Sequence, residues 1–391
     1  MHPSLTANVN WPLPLQPRMQ MPVNAPCWCG SGKKWKKCHR DREHQQTVPI
    51  GKLMSDHHQA QMSGGNCLHP QANAATCSPN IIRAHSVQRK GGLAAIAEDG
   101  HVISPKRGVE DIFKNDGKIV PRRQGVNDAS TFQGFCGAHD EQLFSPIEKF
   151  SITLSKQAAF LLSYRAICYE MFTKDAALHA TEIQRQADKG QPFEMQCETQ
   201  QYLHMFREGV KRGIKDLETW KGKYDAAFLT GDYDEFLFYG MRFSTALPIV
   251  ACGAFHPEFD FKGKNLQIIT RGESEFEHLC FNLTVVGGKS MAVLGWTGGR
   301  QGPAEQFIDS FKALPKDTMA NAAFHIACEH LENTYFRPSW WEAQTISAKE
   351  YLMRRFRSGT GPSEDTERRS DCLSRLEYSF ATATVELELN P

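Results

Sequence analysis

The sequence has few long apolar runs, and the longest, Ala246 to Phe255, is about half of what a membrane-spanning helix needs. It also lacks the glycine-rich loop of nucleotide-driven motors, a dinucleotide-binding fingerprint, a Ser-His-Asp elbow and any internal repeat. The N-terminus does not show the charged-then-apolar pattern of a signal peptide. These absences predict a protein with no membrane partner and a cytoplasmic location.

The twelve cysteines among 391 residues do not resemble the disulfide framework of a small secreted domain. We therefore expect reduced thiols, some of them holding metal. The net charge of +1 conceals an asymmetry, because residues 1–150 carry 18 lysines and arginines against 12 acidic residues. The same region holds nine of the fifteen histidines and six of the cysteines. Metal-type side chains and positive charge thus share one region, which favours an anionic partner such as nucleic acid or the ribosome.

The most informative segment is residues 26–40, which we call the knuckle. Four soft ligands lie within thirteen residues, and they are Cys27, Cys29, Cys38 and His39. These side chains suffice for a complete tetrahedral zinc site, and the glycines between the two pairs allow a sharp turn. Four lysines partly offset the charge of a three-thiolate centre and are candidate partner-binding residues, namely Lys33, Lys34, Lys36 and Lys37.

The knuckle resembles the SEC-C motif, found at the C-terminus of the preprotein translocase motor SecA and in many otherwise unrelated bacterial proteins. The resemblance covers Pro26 to Arg40 and includes the four ligands, the Gly-Ser-Gly turn and the lysines. In SecA such a tail contacts a chaperone and ribosomes. The resemblance therefore implies a small basic docking module, and it does not imply secretion.

A second set of cysteines and histidines is spread over residues 66–150, which we call the central finger. Its candidate zinc ligands are Cys67, Cys77, Cys136 and His139. A knuckle followed by a helix-borne Cys-x-x-His is how a treble-clef finger assembles one zinc site from distant segments. The spacing between Cys67 and Cys77 is wider than the usual two to four residues. Ordinary buried thiols are therefore the alternative.

A treble clef with a histidine between its ligand pairs resembles the HNH nuclease finger. The resemblance implies that His85 is a general base and that Asp140 or Asn127 helps to hold a catalytic divalent cation. Ala84 stands where that family usually carries an acidic residue or a histidine, so a purely structural finger is the alternative. Candidate phosphate contacts around the finger are Arg83, Arg89 and Lys90.

The rest of the chain predicts an α+β fold of helices followed by an antiparallel sheet. Apolar residues at helical spacing begin near Ser155, and a second helical face runs from Tyr202 through Phe206 to Leu217. Two strand-like runs joined by Gly287 and Gly288 predict a hairpin. The predicted domains are a flexible leader (1–25), the knuckle (26–40), a linker (41–65), the central finger (66–150), an α+β domain (151–357), and a linker with a terminal strand (358–391).

Two functions fit these observations. The first is a zinc-binding docking or adaptor protein whose basic N-terminal half contacts nucleic acid, the ribosome or a protein partner. The second is an HNH-like metal-dependent nuclease that uses the central finger. Neither the partner, the substrate nor the role of residues 151–391 follows from the sequence.

Overall fold

The computed structural model describes residues 12–62, 65–105, 120–148, 152–268, 276–358 and 377–389. Within these residues the fold is α+β, as predicted. The chain forms two compact units that are not consecutive in sequence. Unit 1 comprises residues 1–65, 171–218 and 271–273, and unit 2 comprises residues 66–170, 219–270 and 274–391.

In the described part of the chain, the α-helices longer than four residues are α1 (Ile50–Met62), α2 (Gly137–Phe144), α3 (Lys156–Gln184), α4 (Phe193–Thr230), α5 (Pro303–Lys312), α6 (Met319–His330), α7 (Pro338–Glu342) and α8 (Ile346–Ser358). Helix α1 lies in the segment predicted to be a linker, and α3 and α4 each contribute residues to both units. No helix in the described part of the chain combines the length and the apolarity needed to cross a bilayer.

The strands among the described residues all lie in unit 2 and are β1 (Ile81–His85), β2 (His101–Ser104), β3 (Arg122–Gly125), β4 (Thr131–Cys136), β5 (Phe236–Phe243), β6 (Ile249–Phe255), β7 (Leu279–Val286), β8 (Lys289–Thr297), β9 (Thr334–Phe336) and β10 (Val385–Leu389). Eight of them form an antiparallel sheet in the order β10-β5-β8-β7-β6-β9-β2-β3. The predicted hairpin is confirmed, since β7 and β8 pair up to Val286 and Lys289. Gly287 and Gly288 form its turn with φ values of +58° and +78°, which glycine adopts without strain.

The core of unit 2 lies between this sheet and helices α5, α6 and α8. Helix α6 presents small side chains around the fully buried Phe324, so its backbone can approach strand β6 closely. Buried residues of this kind remove apolar area from water, which is the main favourable term in folding.

Strands β1 and β4 form a separate two-stranded antiparallel sheet that leads directly into α2. The register pairs Ile81 with Cys136 and His85 with Thr131. A buried polar network lies beside this ribbon within unit 2. The hydroxyl of Ser86 lies 2.6 Å from that of Ser130, and the Tyr335 hydroxyl accepts a hydrogen bond of 2.6 Å from the Ser130 backbone N–H. Asn333 completes the network, because its amide donates to the Ser86 hydroxyl.

The long helix α4 differs from the prediction in the face that it buries. Leu217 is buried as expected, but Tyr202 is 69% exposed and Phe206 is 39% exposed. Their rings instead stack on each other, with centroids 6.3 Å apart. The predicted apolar face is therefore wrong in its N-terminal part.

Candidate metal centres

The knuckle backbone folds back on itself so that its two ligand pairs face each other. The Cys27 N–H donates to the Lys33 carbonyl at 2.8 Å, which closes a short loop. Gly30 and Gly32 turn that loop with φ values of +73°. A single helical turn over Trp35–Lys37 then delivers the second pair of ligands.

The four predicted ligands of the knuckle, which we call the first cluster, converge in the structure. Their sulfur and nitrogen atoms all lie within 4.8 Å of one another. Sγ of Cys29 lies 3.6 Å from Sγ of Cys38, and Nδ1 of His39 lies 3.2 Å from the latter sulfur. In tetrahedral zinc sites with zinc–sulfur bonds near 2.3 Å, neighbouring sulfurs lie about 3.8 Å apart. The first cluster therefore has the donor set and the spacing for one zinc ion.

The histidine of the first cluster forms a hydrogen bond, through the ring nitrogen that faces away from the sulfurs, with a carboxylate that the sequence analysis did not identify. Nε2 of His39 donates to Oδ2 of Asp188 at 3.0 Å, which leaves Nδ1 free to bind metal. Asp188 is fully buried, and it also accepts from Nε of Arg42 at 2.6 Å and from the side-chain amide of Gln200 at 2.8 Å. A carboxylate behind a metal-binding histidine fixes the ring orientation and increases ligand basicity. Asp188 therefore acts as a positioning residue for the metal site.

Asp188 belongs to a buried network at the turn between α3 and α4. Arg185, also buried, donates to the Cys29 carbonyl at 2.9 Å and to the Gln200 side chain at 2.7 Å. Arg42 donates to the Arg185 carbonyl at 2.6 Å. Each buried charge in this network has a partner of opposite sign or a hydrogen bond, which is the condition under which such charges are tolerated. The knuckle is thus an integral part of unit 1.

Hydrogen bonds within the first cluster shift the pKa values of its ligands in opposite directions, raising that of Cys27 and lowering that of Cys29. Hydrogen bonds from Cys27 and Cys38 hold the pKa of Cys29 well below its usual range. Burial alone would lower the pKa of His39, but hydrogen bonds with Asp188 and with the cysteines outweigh burial and raise it to about 10. Metal binding releases such shared protons, because zinc takes thiolate and neutral imidazole ligands.

The second predicted set of ligands, the second cluster, also converges. Nδ1 of His139 lies 3.3 Å from Sγ of Cys67, 3.6 Å from Sγ of Cys77 and 3.3 Å from Sγ of Cys136. Cys136 ends strand β4 and His139 lies in the first turn of α2, so the strand-to-helix junction brings these two ligands together. The wide spacing between the other two cysteines does not prevent this arrangement. The second cluster can therefore hold a metal ion as well.

The surroundings of the second cluster stabilise a thiolate and enclose the histidine. Burial acts to raise the pKa of Cys136, but hydrogen bonds from the backbone N–H of His139 and from Ser78 lower it to about 6. His69 stacks on His139 with ring centroids 3.9 Å apart and an interplanar angle of 3°. The sequence analysis did not single out His69, since a lone histidine near a cysteine carries no spacing signal.

The residues predicted for nuclease chemistry lie around the β1–β4 ribbon but do not form a metal site among the described residues. His85 is the last residue of β1, and its Nε2–H donates to the Val126 carbonyl at 3.1 Å. Burial lowers the pKa of His85 and raises the pKa of Asp140. Asn127 is exposed, and its side-chain oxygen accepts from Arg89 at 3.0 Å. In the described part of the chain, the His/Cys/Asp/Glu groups placed for metal are the first and second clusters, and neither includes His85 or Asp140.

The predicted basic contact residues are at the surface. The four knuckle lysines are exposed, and so are Arg83, Arg89 and Lys90 around the central finger. Arg83 donates to Asp128 at 2.8 Å, so part of its charge is compensated.

A protein-family model described as the SEC-C motif matches residues 24–41. The match covers the knuckle and its four ligands, and it agrees with the geometry of the first cluster. No curated protein and no solved structure matches the chain.

Proposed function

We propose that this protein is a zinc-binding docking protein whose knuckle contacts nucleic acid, either free or within a ribosome. The observation that carries this proposal is a closed metal site beneath an exposed basic surface. Three cysteines and one histidine would complete the four-coordination of a zinc ion at each cluster and leave no position for a substrate, which is typical of structural zinc. The ligands of the first cluster fix a short segment of the chain, and this segment carries four exposed lysines. Such a surface attracts phosphates.

The proposal is tested by the salt dependence of binding to a single-stranded oligonucleotide, followed by fluorescence anisotropy. A variant in which the four knuckle lysines become glutamine should bind more weakly, with a salt slope reduced by about 0.7 for each phosphate that the variant no longer neutralises. A charge-matched control neutralises four exposed lysines of unit 2, namely Lys223, Lys262, Lys264 and Lys316. Binding that is indifferent to salt and to the knuckle lysines contradicts the proposal and directs attention to a protein partner.

A reducing compartment suits this function. Each cluster needs three cysteines in the thiolate form, and the cysteines of the described residues are free thiols. Because cytoplasmic thiols are kept reduced, we place the protein in the cytoplasm.

The second candidate is an HNH-like nuclease, and one observation favours it. The Val126 carbonyl can only accept, so Nε2 of His85 carries the proton and Nδ1 is left to act as a base. The residue stands at the end of a ribbon that leads into a metal-ligating helix. Divalent-metal-dependent cleavage of plasmid DNA should then be lost in His85→Ala while zinc content stays unchanged. His101→Ala, at an exposed histidine, is the control, and cleavage that survives His85→Ala removes this residue as the base.

A further inference from the structure

A cavity of about 280 Å³ adjoins the first cluster within unit 1. It touches Cys29, Cys38 and His39 on one side and residues of the α3–α4 turn on the other. This volume is far larger than one metal ion needs, and it is close to the lower end of small-molecule sites, which run from about 300 to 1,000 Å³. The cavity therefore has room for a group of about nucleotide size beside the metal position.

The cavity lining is strongly basic. Five of its side chains are cationic, namely Lys33, Lys37, Arg42, Arg185 and Lys189. The single carboxylate among the described lining residues belongs to Glu182, which forms ion pairs with Arg185 at 3.4 Å and with Arg207. The charge of Arg42 is compensated by Asp188.

Three cations of the lining remain after these pairs are assigned. Lys33 and Lys37 come from the knuckle and Lys189 comes from the α3–α4 turn, and none is paired with an acidic group of the described chain. Neutral hydrogen-bonding groups accompany them, including the Ser31 hydroxyl and the Gln186 amide. Lysines from two distant segments of the chain thus line one recess. A recess screens charges less than open solvent does, so an anion held there is attracted more strongly than on a flat basic surface.

We propose that this cavity binds the phosphate of a nucleotide-sized group, supplied by a nucleic-acid strand or by a free nucleotide. A phosphate offers several charged acceptor oxygens to several separated donors, which matches three lysines with a hydroxyl and an amide. The inference rests on the proposed docking function and narrows it. Within the knuckle, Lys33 and Lys37 hold the phosphate, whereas Lys34 and Lys36 lie outside the cavity lining.

The knuckle itself supplies a matched pair of variants. Lys33→Gln with Lys37→Gln removes two cavity lysines, and Lys34→Gln with Lys36→Gln removes the same charge from the same exposed segment. Binding of 5′-AMP and of a 5′-phosphorylated single-stranded oligonucleotide is measured on the zinc-loaded full chain, with adenosine as the uncharged probe. The pair Lys33→Gln with Lys37→Gln should weaken the binding of both ligands about tenfold or more. The pair Lys34→Gln with Lys36→Gln should change the affinity for AMP less than about twofold. Lys189→Gln, on the other side of the cavity, should also weaken the binding of both ligands.

The outcomes separate this inference from the docking function on which it rests. Equal weakening of oligonucleotide binding by both pairs, with no binding of AMP, overturns the cavity site and leaves the docking function in place. AMP binding that needs the cavity lysines, without oligonucleotide binding, supports the cavity, identifies the source as a free nucleotide and overturns nucleic-acid docking. If neither AMP nor the oligonucleotide binds while the zinc content is intact, the cavity site and the docking function are both overturned. Competition by inorganic phosphate but not by adenosine supports the phosphate as the recognised group.

Discussion

The side chains of His39 and Asp188 are joined by a hydrogen bond of 3.0 Å, although 149 residues separate them in the chain. One member is a ligand of the first cluster, and the other is a fully buried carboxylate at the turn between α3 and α4. The ligand geometry of the knuckle therefore depends on a residue outside it. A metal site supported in this way differs from a knuckle that stands alone on a tail.

Replacing Asp188 by asparagine should weaken zinc binding at the first cluster by about 10- to 100-fold, because the support behind His39 is removed. The change also leaves Arg42 buried without its counter-ion, which costs about 3–5 kcal/mol of unfolding free energy. Competition with a chromogenic chelator measures the affinity. Asp175→Asn is the control, since that carboxylate lies half-exposed on helix α3, which precedes the turn carrying Asp188. Unchanged zinc affinity in Asp188→Asn would show that the hydrogen bond does not support the site.

Zinc content per chain should fall from two equivalents to one in Cys136→Ser, because the second cluster loses one of its three sulfurs. Cys29→Ser should have the same effect through the first cluster. Cys197→Ser provides the control, as this half-buried thiol packs beside the knuckle without belonging to its ligands. Elemental analysis of the purified proteins gives the count. A wild-type value of one equivalent that Cys136→Ser leaves unchanged would restrict metal to the knuckle.

Tyr335→Phe should destabilise unit 2 by about 1–3 kcal/mol. The tyrosine hydroxyl accepts from the Ser130 N–H and donates to Asn333 at 3.0 Å, so both groups would be left buried without a partner. Chemical unfolding measures the difference. Tyr202→Phe removes an exposed hydroxyl and should change stability by less than about 0.5 kcal/mol. Equal stabilities of the two variants would argue against the network.

The stability of unit 2 should fall as the pH decreases below 6.5, and His325 is one cause. Burial, aided by the charge of Arg355, lowers the pKa of His325 from 6.5 to about 3 in the folded chain. Between pH 6.5 and about pH 3, the unfolded chain therefore binds a proton at His325 that the folded chain does not bind. The resulting stability is present above pH 6.5 and is lost progressively as the pH falls toward 3, by about 2 kcal/mol at pH 5.

Urea unfolding at pH 7 and pH 5 checks this prediction on wild type and on His325→Gln, which cannot titrate. The variant should lose less stability between the two values than the wild type does. His44→Gln, at an exposed histidine, should behave as the wild type. An identical loss in all three proteins would assign the pH dependence to other groups.

Both clusters were predictable from the sequence because their ligand types are rare and their contacts are partly local. Cys136 and His139 are three residues apart at a strand-to-helix junction, and Cys27 and Cys29 share one loop. Asp188 was not predictable in the same way. An aspartate in a turn between helices is usually solvated, and nothing in its neighbourhood indicates that it reaches a histidine.

The helix prediction shows a related limit. Periodic apolar residues identified α4 as a helix, but periodicity does not reveal which residues are covered. Tyr202 and Phe206 follow the pattern and are nevertheless exposed. The sequence pattern also does not reveal which distant segments form one unit. Residues 1–65 form a unit with residues 171–218, and nothing in the periodicity of either segment indicates this. The linear domain boundaries drawn from composition stay a prediction.

The long separation between His39 and Asp188 has a consequence for synthesis of the chain. At about 5–20 residues per second, roughly 7–30 s pass between the emergence of the knuckle and that of the carboxylate that supports it. During that interval the thiols are available to zinc, but the imidazole has no buried partner. We therefore expect the first cluster of a nascent chain to bind metal more weakly until the helical turn carrying Asp188 has left the ribosome.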